Sequence, residues 1–311
     1  MASAGRNGRA DMAISILNDM HRYGVKPDER SYRSVIVACN QAQHQKRRHL
    51  RSCDSCNDVG VTETQASSTF EWWESSLALL RRMREEGLQP DIQTFSSCIS
   101  ACEAAGQWQR ALTILQSMID NSGGKESEFL NLFCFNAAIS SCEKGGAWVE
   151  ALEIYERMIS YGGLLTPNFV TLSSLVLALA NAGQKELAES KYIEGVKMKI
   201  VNPWRMTIDS MGRSVKAMDL HKFNSALASS AVRSYLDSLL VKGRHLTIHD
   251  DLIIIVGKGL RSTEEPILLP TIQKLLISEY GLAVYSEKEN AGRLIIKAAA
   301  LRGVVAGRSW S

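Results

Sequence analysis

The segment Ser100-Ala-Cys-Glu-Ala-Ala-Gly-Gln-Trp-Gln-Arg-Ala-Leu112 recurs 40 residues later as Ser140-Ser-Cys-Glu-Lys-Gly-Gly-Ala-Trp-Val-Glu-Ala-Leu152. The cysteine, glutamate, glycine, tryptophan and Ala-Leu positions coincide in both copies, and a methionine follows each one at Met118 and Met158. Self-similarity at a period of this length is typical of proteins built from stacked supersecondary units. The sequence therefore predicts a repeat array around these two copies.

The composition limits the classes of protein to consider. The 311 residues are enough for about two domains. With 45% hydrophobic and 22% charged residues, the chain has a globular composition. The net charge of +3 excludes a histone-like polycation but permits a local basic groove. No apolar run approaches the roughly 20 residues of a membrane-spanning helix, so we expect no membrane segment.

Most of the chain up to residue 200 has the pattern of helical hairpins. Apolar residues recur at helical spacing after each glycine turn, as in Ala111, Leu112 and Leu115. A single hairpin cannot bury such a stripe alone, so neighbouring hairpins must stack. Three steps mark the exits from the repeats, where proline cannot continue a helix: Pro27-Asp28, Pro90-Asp91 and Pro167-Asn168.

These features resemble the pentatricopeptide repeat (PPR) family over about two thirds of the chain. The resemblance rests on Gly-x-x-x-x-Ala-Leu at Gly106 and Gly146, on the methionine seven residues after that alanine, and on the exit Gly87-Leu-Gln-Pro-Asp91. It implies an α-helical solenoid of about 4–5 repeats over residues 1–200. The tetratricopeptide repeat, which usually binds peptides, is the alternative. Because Gly8 already stands at a turn, we expect the natural protein to begin further upstream.

An insertion at 43–70 interrupts the second unit. It holds four potential zinc ligands, His44, His49, Cys53 and Cys56. One Cys-x-x-Cys without a second spaced pair is weak evidence for a metal, so a loop without zinc is the preferred interpretation. All seven cysteines precede residue 143, and we expect those on apolar helical faces to act as small hydrophobic residues.

In the PPR family one base is read by the fifth and the last residue of a repeat. The resemblance thus pairs Arg33 with Asp91, Ser96 with Asn131 and Asn136 with Asn168, and it leaves Ser173 without an assigned partner. Hydroxyl and amide groups can hydrogen-bond the edge of an unpaired base. The alternative is that these are solvated residues at helix starts.

Three tryptophans, Trp73, Trp108 and Trp148, directly follow the predicted turns. They are either platforms for bases or wedges between the two helices of each hairpin. We favour the wedge, because a large apolar residue that recurs beside a turn usually packs.

From about residue 216 the pattern changes to alternating strands and helices. Asp251-Leu-Ile-Ile-Ile-Val256 is typical of a buried parallel strand. The order βαβαββ predicts a small α/β sandwich over 216–302, preceded by a linker at 201–215 and followed by a tail at 303–311.

This part resembles the Smr (small MutS-related) domain. The resemblance rests on Met218-Asp-Leu-His221, Gly257-Lys-Gly-Leu-Arg-Ser262 and Asn290-Ala-Gly-Arg-Leu294, although Lys222 and Arg261 depart from the family pattern. Asp219 and His221 alternate with Leu220, so they point to one face at the carboxyl end of a strand. We expect them to act as the base or as ligands of a divalent metal such as Mg²⁺.

The loop after the neighbouring strand completes the predicted site. Its backbone N–H groups and cationic side chains would hold a phosphate, and its residues are Gly257, Lys258, Gly259, Arg261 and Ser262. The alternative is that Asp219 and His221 only brace a phosphate-binding sheet edge, so the sequence leaves open whether this is an endonuclease.

The resemblances together imply a single-stranded RNA-binding PPR–Smr protein of organellar RNA metabolism, in plastid or mitochondrion. Two other functions stay open. One is a non-catalytic adaptor whose solenoid binds a protein partner, and the other is a DNA-nicking Smr protein.

Overall fold

The computed structural model describes residues 9–53, 71–121, 130–208, 212–242, 249–257, 267–287 and 290–307. The chain separates into two compact units, Met1–Pro167 and Asn168–Ser311. The last helical hairpin before residue 200, which we expected to belong to the repeat array, thus falls in the second unit. Within the segments described, no helix has an apolar stretch long enough to span a bilayer.

The first unit is a row of helical hairpins. Each helix packs against the next one along the chain, and the first helices of successive repeats also contact each other. The described helices are α1 (Ala10–Arg22), α2 (Glu29–Cys53), α3 (Trp72–Glu85), α4 (Ile92–Ala104), α5 (Trp108–Asn121), α6 (Leu132–Gly145) and α7 (Trp148–Tyr161), followed by a short 3₁₀ turn at Gly163–Leu165.

The two copies of the repeated segment form the same turn. Gly106 and Gly146 both adopt a φ of 71°, a left-handed conformation that glycine reaches without steric cost. The helix that follows each turn buries an apolar stripe against its neighbours. The buried residues are Ala111, Ile114, Leu115 and Met118 in α5 and Ala151, Ile154, Tyr155 and Met158 in α7.

The predicted role of the cysteines as small apolar residues is confirmed for the described ones. Cys39, Cys98, Cys102 and Cys142 have no exposed surface, and none of them forms a disulfide. Burial raises the pKa of Cys39 and of Cys102 to about 12, so both side chains stay protonated at neutral pH.

The insertion at 43–70 begins as helix rather than as a turn. Helix α2 continues through residue 43 to Cys53. Glu71 accepts hydrogen bonds from Gln43 (3.1 Å) and Lys46 (2.7 Å), so the extension is tied to the start of α3. His44 lies 2.8 Å from the Ser100 hydroxyl. Cys56 and the side chains of His49 and Cys53 lie outside the described residues, so the zinc hypothesis stays untested there.

The second unit combines a helical hairpin with a five-stranded sheet. Strand order is β1-β2-β3-β5-β4, with β2 and β3 parallel and the other neighbours antiparallel. Its elements are α8 (Phe169–Asn181), α9 (Lys185–Lys197), β1 (Trp204–Ile208), β2 (Ser214–Asp219), α10 (Ser225–Lys242), β3 (Leu252–Ile255), α11 (Leu268–Tyr280), β4 (Tyr285–Glu287), β5 (Asn290–Ile296) and α12 (Ala298–Gly307).

The predicted order βαβαββ is present in β2 to β5, but it is extended at both ends. Strand β1 lies within the segment 201–215 that we expected to be a linker, and it pairs with β2 along its whole length. Helix α12 crosses the expected domain end at residue 302 and continues into the predicted tail. Residues 308–311 of that tail lie outside the described part.

Helix α10 holds the second unit together. It packs against α8, α9, α11 and α12. Its Arg233 binds Glu279 of α11 through two hydrogen bonds of 2.7 Å and lies 3.7 Å from Glu189 of α9. Such a bidentate pair fixes geometry more firmly than a single ion pair. The hairpin α8–α9 is therefore a structural part of the α/β unit.

Candidate functional site

Four side chains at the repeat boundaries hold the first turn of the following helix. Each is an Asp or Asn whose Oδ1 accepts a hydrogen bond from the backbone N–H three residues later, as expected for an N-cap. The bonds run from Ser31 to Asp28 (2.8 Å), from Thr94 to Asp91 (2.8 Å), from Cys134 to Asn131 (2.9 Å) and from Thr171 to Asn168 (3.1 Å). The residues predicted to end each base-reading pair thus have a structural role of their own.

The two side chains of the first predicted base-reading pair bind each other. The guanidinium of Arg33 forms an ion pair with the Asp91 carboxylate. Burial works to raise the pKa of Asp91, but hydrogen bonds from Thr94 and the neighbouring Arg33 outweigh it and hold the pKa below its ordinary value. In this conformation Arg33 and Asp91 neutralise each other's charge.

Ser96 and Asn136 occupy equivalent positions on α4 and α6, and both are partly exposed. The Ser96 hydroxyl donates to the Gln93 carbonyl at 3.0 Å, a bond within its own helix that a ligand can replace. Asn136 already interacts with a neighbouring group. The assignment of these two side chains to base reading stays a prediction.

Ser173 is engaged by the α/β part of the second unit. The Asn224 amide donates to its hydroxyl at 2.8 Å and to its carbonyl oxygen at 2.9 Å. The Oδ1 of Asn224 in turn accepts from the Leu227 N–H at 2.8 Å and so caps α10. This differs from our expectation of a hydroxyl directed to a ligand.

Two exposed apolar side chains beside the caps were not singled out from the sequence. Phe133 is 55% exposed and Val170 is 52% exposed, each two residues after a capping asparagine. An unpaired base can stack on the aromatic ring of Phe133. Their position at a fixed offset from the Pro-Asn or Asn boundary is the signal that could have revealed them.

Trp108 packs against the helix of the following repeat. A Cβ added to Gly145, at the end of α6, would stand 2.1 Å from the indole Cδ1 of Trp108. The absence of a side chain at residue 145 therefore makes room for the ring. Trp108 therefore packs, as predicted, but the contact found is with the following repeat, whereas we expected the two helices of its own hairpin.

Asp219, His221 and Gly257 meet at one edge of the sheet. Asp219 pairs with Ile255 across the parallel strands β2 and β3, so the carboxyl ends of both strands lie side by side. Gly257 has a φ of 83°, and a Cβ on it would stand 3.4 Å from the His221 Cβ. Lys258, Gly259, Arg261 and Ser262 of the predicted phosphate loop lie outside the described residues.

The Asp219 carboxylate is bound from two sides. It accepts from His221 Nδ1 at 2.5 Å and from Arg205 at 2.7 Å, and its side chain is only 11% exposed. Burial works to raise the pKa of Asp219, but these hydrogen bonds outweigh it and hold the pKa below its ordinary value. Because Nδ1 donates to the carboxylate, the neutral His221 ring presents Nε2 as an acceptor.

The sequence did not identify Arg205, because it lies on β1 in the expected linker. The alternation of apolar and polar residues in Trp204-Arg205-Met206-Thr207-Ile208 is the pattern of a half-buried strand and could have indicated it. Arg205 completes a row of three hydrogen-bonded side chains with Asp219 and His221.

The described residues here do not fit a Mg²⁺ ion. In the described part of the chain no group of three or more His, Cys, Asp or Glu side chains is arranged to hold a metal. Both oxygens of Asp219 already accept hydrogen bonds, whereas Mg²⁺ needs such oxygens as ligands. We therefore derive no metal-dependent step.

Comparison with known proteins identifies the repeats. A family model described as pentatricopeptide repeat-containing protein matches residues 1–118, and a model of the PPR repeat matches residues 133–163. Both matches lie before the first strand of the sheet. No curated protein sequence matches the chain.

Three solved structures are among those that match this chain. The PPR protein PPR10 from maize is 20% identical over 76% of this chain, with a TM-score of 0.45. The PPR domain of Arabidopsis thaliana protein-only RNase P 1, solved with tRNA, is 12% identical over 64% of the chain, with a TM-score of 0.47. Nuclear proteinaceous RNase P 2 from A. thaliana is 12% identical over 78%, with a TM-score of 0.49.

The chain spans 26% of the length of the maize protein, 86% of the RNase P 1 domain and 56% of RNase P 2. The family models agree with the repeated turns, caps and buried apolar stripes described above. The hairpins matched within residues 1–118 and 133–163 are pentatricopeptide repeats.

Proposed function

We propose that the repeats bind single-stranded RNA. The observation that carries this proposal is the recurrence, at one spacing, of a capping Asp or Asn and of a polar residue five positions later. Ser96 and Asn136 supply the partly exposed hydroxyl and amide, and Phe133 supplies an exposed ring. Polar groups that bind base edges beside surfaces on which bases stack are what recognition of unpaired RNA needs.

A gel-shift titration with single-stranded RNA at low salt tests this proposal. The variant Ser96→Ala/Asn136→Ala should bind about fivefold more weakly or worse, because two hydrogen bonds to bases are removed. The matched control is Thr113→Ala/Gln109→Ala, which removes a hydroxyl and an amide from the exposed face of α5. Equal weakening in both double variants would contradict the model of base reading.

We also propose that the α/β unit is a Smr domain that acts on the phosphodiester backbone of the bound RNA. The row Arg205–Asp219–His221 supports this proposal. His221 Nε2 would take the proton of the attacking hydroxyl, and Asp219 would stabilise the imidazolium that forms. The new phosphorus–oxygen bond forms as the bond to the leaving 5′ oxygen breaks, and that oxygen then takes up a proton.

Cleavage is tested with end-labelled RNA. The variant Asp219→Ala/His221→Ala should lose product formation by about 10²-fold or more if the pair supplies acid–base catalysis. The variant His249→Ala/Asp250→Ala is the control, since both residues are exposed in the same unit away from this row. Equal product from wild type and the Asp219/His221 variant would assign the activity to a contaminant. Nicking of supercoiled plasmid without RNA cleavage would point to DNA as the substrate.

A further inference from the structure

A cleft of about 260 Å³ beside Asp219 has an aromatic wall that the proposed chemistry does not use. Phe169, the first residue of α8, lines it and is half-buried. Phe223 also lines the cleft and packs against Phe169, with ring centroids 5.7 Å apart and planes at 58°. Phe223 is only 9% exposed, so the Phe169 ring is held against a fixed partner. The cleft thus offers a preformed apolar surface.

The polar wall of the same cleft favours an anion. Its carboxylate, Asp219, is already bound by Arg205 and His221. Lys222 lines the cleft and is exposed. Among the described lining residues, Arg205 offsets the negative charge of Asp219. Lys222 therefore gives the cleft a net positive charge. A ligand that places an anionic group near Lys222 and His221 would complement this wall.

The size of the cleft limits the ligand to a small one. A volume of about 260 Å³ lies just below the range of typical small-molecule sites, which begins at roughly 300 Å³. A base pair or a duplex end would not enter, whereas one ring with its attached phosphate suits the space. An aromatic wall faced by a cationic one is the arrangement that a nucleotide requires.

We propose that this cleft binds one unpaired nucleotide, with its base against Phe169 and its phosphate beside Lys222 and His221. The inference rests on the proposed function in that the nucleotide would belong to the RNA strand acted on at His221. The same chemistry would also accept a free nucleotide. The base must be unstacked from its neighbours to enter, so the cleft selects single-stranded over paired RNA.

Binding of small probes to the full chain tests the cleft directly. The probes are uridine 5′-monophosphate, adenosine 5′-monophosphate, uridine alone and inorganic phosphate. Their binding is measured by titration calorimetry or saturation-transfer NMR. We expect the monophosphates to bind at least about tenfold more tightly than phosphate or uridine, since each of those fills one wall only. Equal affinity for phosphate and the monophosphates would overturn the proposal.

Paired variants locate the binding. Phe169→Leu should weaken binding about fivefold or more by removing the stacking ring, and Phe169→Tyr should retain it. Lys222→Ala should weaken monophosphate binding, whereas Lys274→Ala, which removes an exposed lysine of α11, should not. Lys222 is exposed, so its variant tests the proposal even if Phe169→Leu fails to fold. Unchanged binding in Lys222→Ala and in a folded Phe169→Leu would overturn it.

A trinucleotide distinguishes the two sources of the ligand. If it binds more tightly than the monophosphates and is displaced by them, an RNA strand is the ligand. Equal affinities would point to a free nucleotide, and both results support the cleft. Monophosphate binding without any RNA cleavage would support the cleft while removing the proposed catalysis. No saturable monophosphate binding would overturn the cleft even if Asp219 and His221 proved essential for cleavage.

Discussion

At the scale of single residues, the indole ring of Trp108 explains why residue 145 is a glycine. The indole ring lies where a side chain at residue 145 would be, with a clearance of 2.1 Å to an added Cβ. We predict that Gly145→Ala lowers the free energy of unfolding by about 1–3 kcal/mol through overpacking, although alanine is the better helix former. Chemical denaturation followed by circular dichroism measures this change.

The control for this prediction is Gly303→Ala in α12, where an added Cβ meets no atom within 4 Å. That variant should be neutral or stabilising by up to about 1 kcal/mol, because only helix propensity changes. If both alanine variants were stabilising, Trp108 would not constrain residue 145.

His44 gives the first unit a dependence on pH. Burial lowers the pKa of its ring, Glu103 opposes this effect, and three nearby cations add to it. The folded protein therefore favours the neutral ring more than the unfolded chain does. The resulting stability is complete above the unfolded pKa of about 6.5 and is lost as the pH falls toward the folded value.

We predict that the melting temperature of the wild type falls more between pH 7.5 and pH 5.5 than that of His44→Gln. His249→Gln serves as the reference, since residue 249 is exposed, and it should follow the wild type. Differential scanning fluorimetry at both pH values is sufficient. Parallel curves for the wild type and His44→Gln would contradict the proposed burial effect.

At the scale of secondary-structure elements, Asn131 combines a helix cap with a candidate ligand contact, and the two roles can be separated. Asn131→Ala removes the cap of α6 and should cost about 1 kcal/mol of stability. Asn131→Asp keeps an oxygen acceptor for the Cys134 N–H and should leave stability nearly unchanged. It removes the amide donor, however, and should weaken RNA binding about twofold to tenfold.

Denaturation and gel-shift titration on the same preparations measure the two effects of residue 131. An Asp variant that binds RNA as well as the wild type would show that the Asn131 amide takes no part in recognition. An Ala variant with unchanged stability would show that the cap is dispensable.

The helices, turns and caps of the repeats were predictable because local sequence determines them. Glycine, proline and the apolar period give the same answer at each repeat, as Gly106 and Gly146 show. The course of α2 beyond residue 43 was not predictable, since it depends on contacts of Gln43 and Lys46 with Glu71, which follows much later in the chain. A local pattern contains no such long-range information.

The same reason explains what was missed at the candidate site. The Asp-x-His pattern predicted that Asp219 and His221 share one face at the end of a strand. In the structure β2 ends at Asp219, and His221 reaches the carboxylate from the turn that follows. Arg205 reaches Asp219 only because β1 pairs with β2, a pairing that an edge strand of five residues barely reveals. Ser173 is engaged by Asn224, 51 residues away, and no spacing rule indicates that contact.

At the scale of the whole molecule, the division at residues 167 and 168 predicts which fragment folds. A fragment of residues 168–311 keeps the hairpin α8–α9 against α10 and retains both walls of the cleft. A fragment of residues 216–311, which follows the boundary expected from the sequence, lacks β1 and that hairpin. Its α10 would expose apolar surface that α8 and α9 cover in the intact unit.

We therefore predict a cooperative thermal transition for 168–311 and none for 216–311, as measured by circular dichroism and by the dispersion of amide NMR signals. Adding residues 201–215 alone should restore Arg205 but not Phe169. A shorter fragment that melts as cooperatively as 168–311 would show that the hairpin is not needed for folding.

The repeated caps also restrict how the repeats can diversify. Only a few residue types, chiefly Asp, Asn, Ser and Thr, can accept a hydrogen bond from the backbone at the start of a helix. The four capping positions hold only two of these residue types, as Asp28, Asp91, Asn131 and Asn168. The positions five residues later are under no such demand, and they hold Arg33, Ser96, Asn136 and Ser173. New specificities would therefore arise mainly by substitution at these later positions, without loss of the fold.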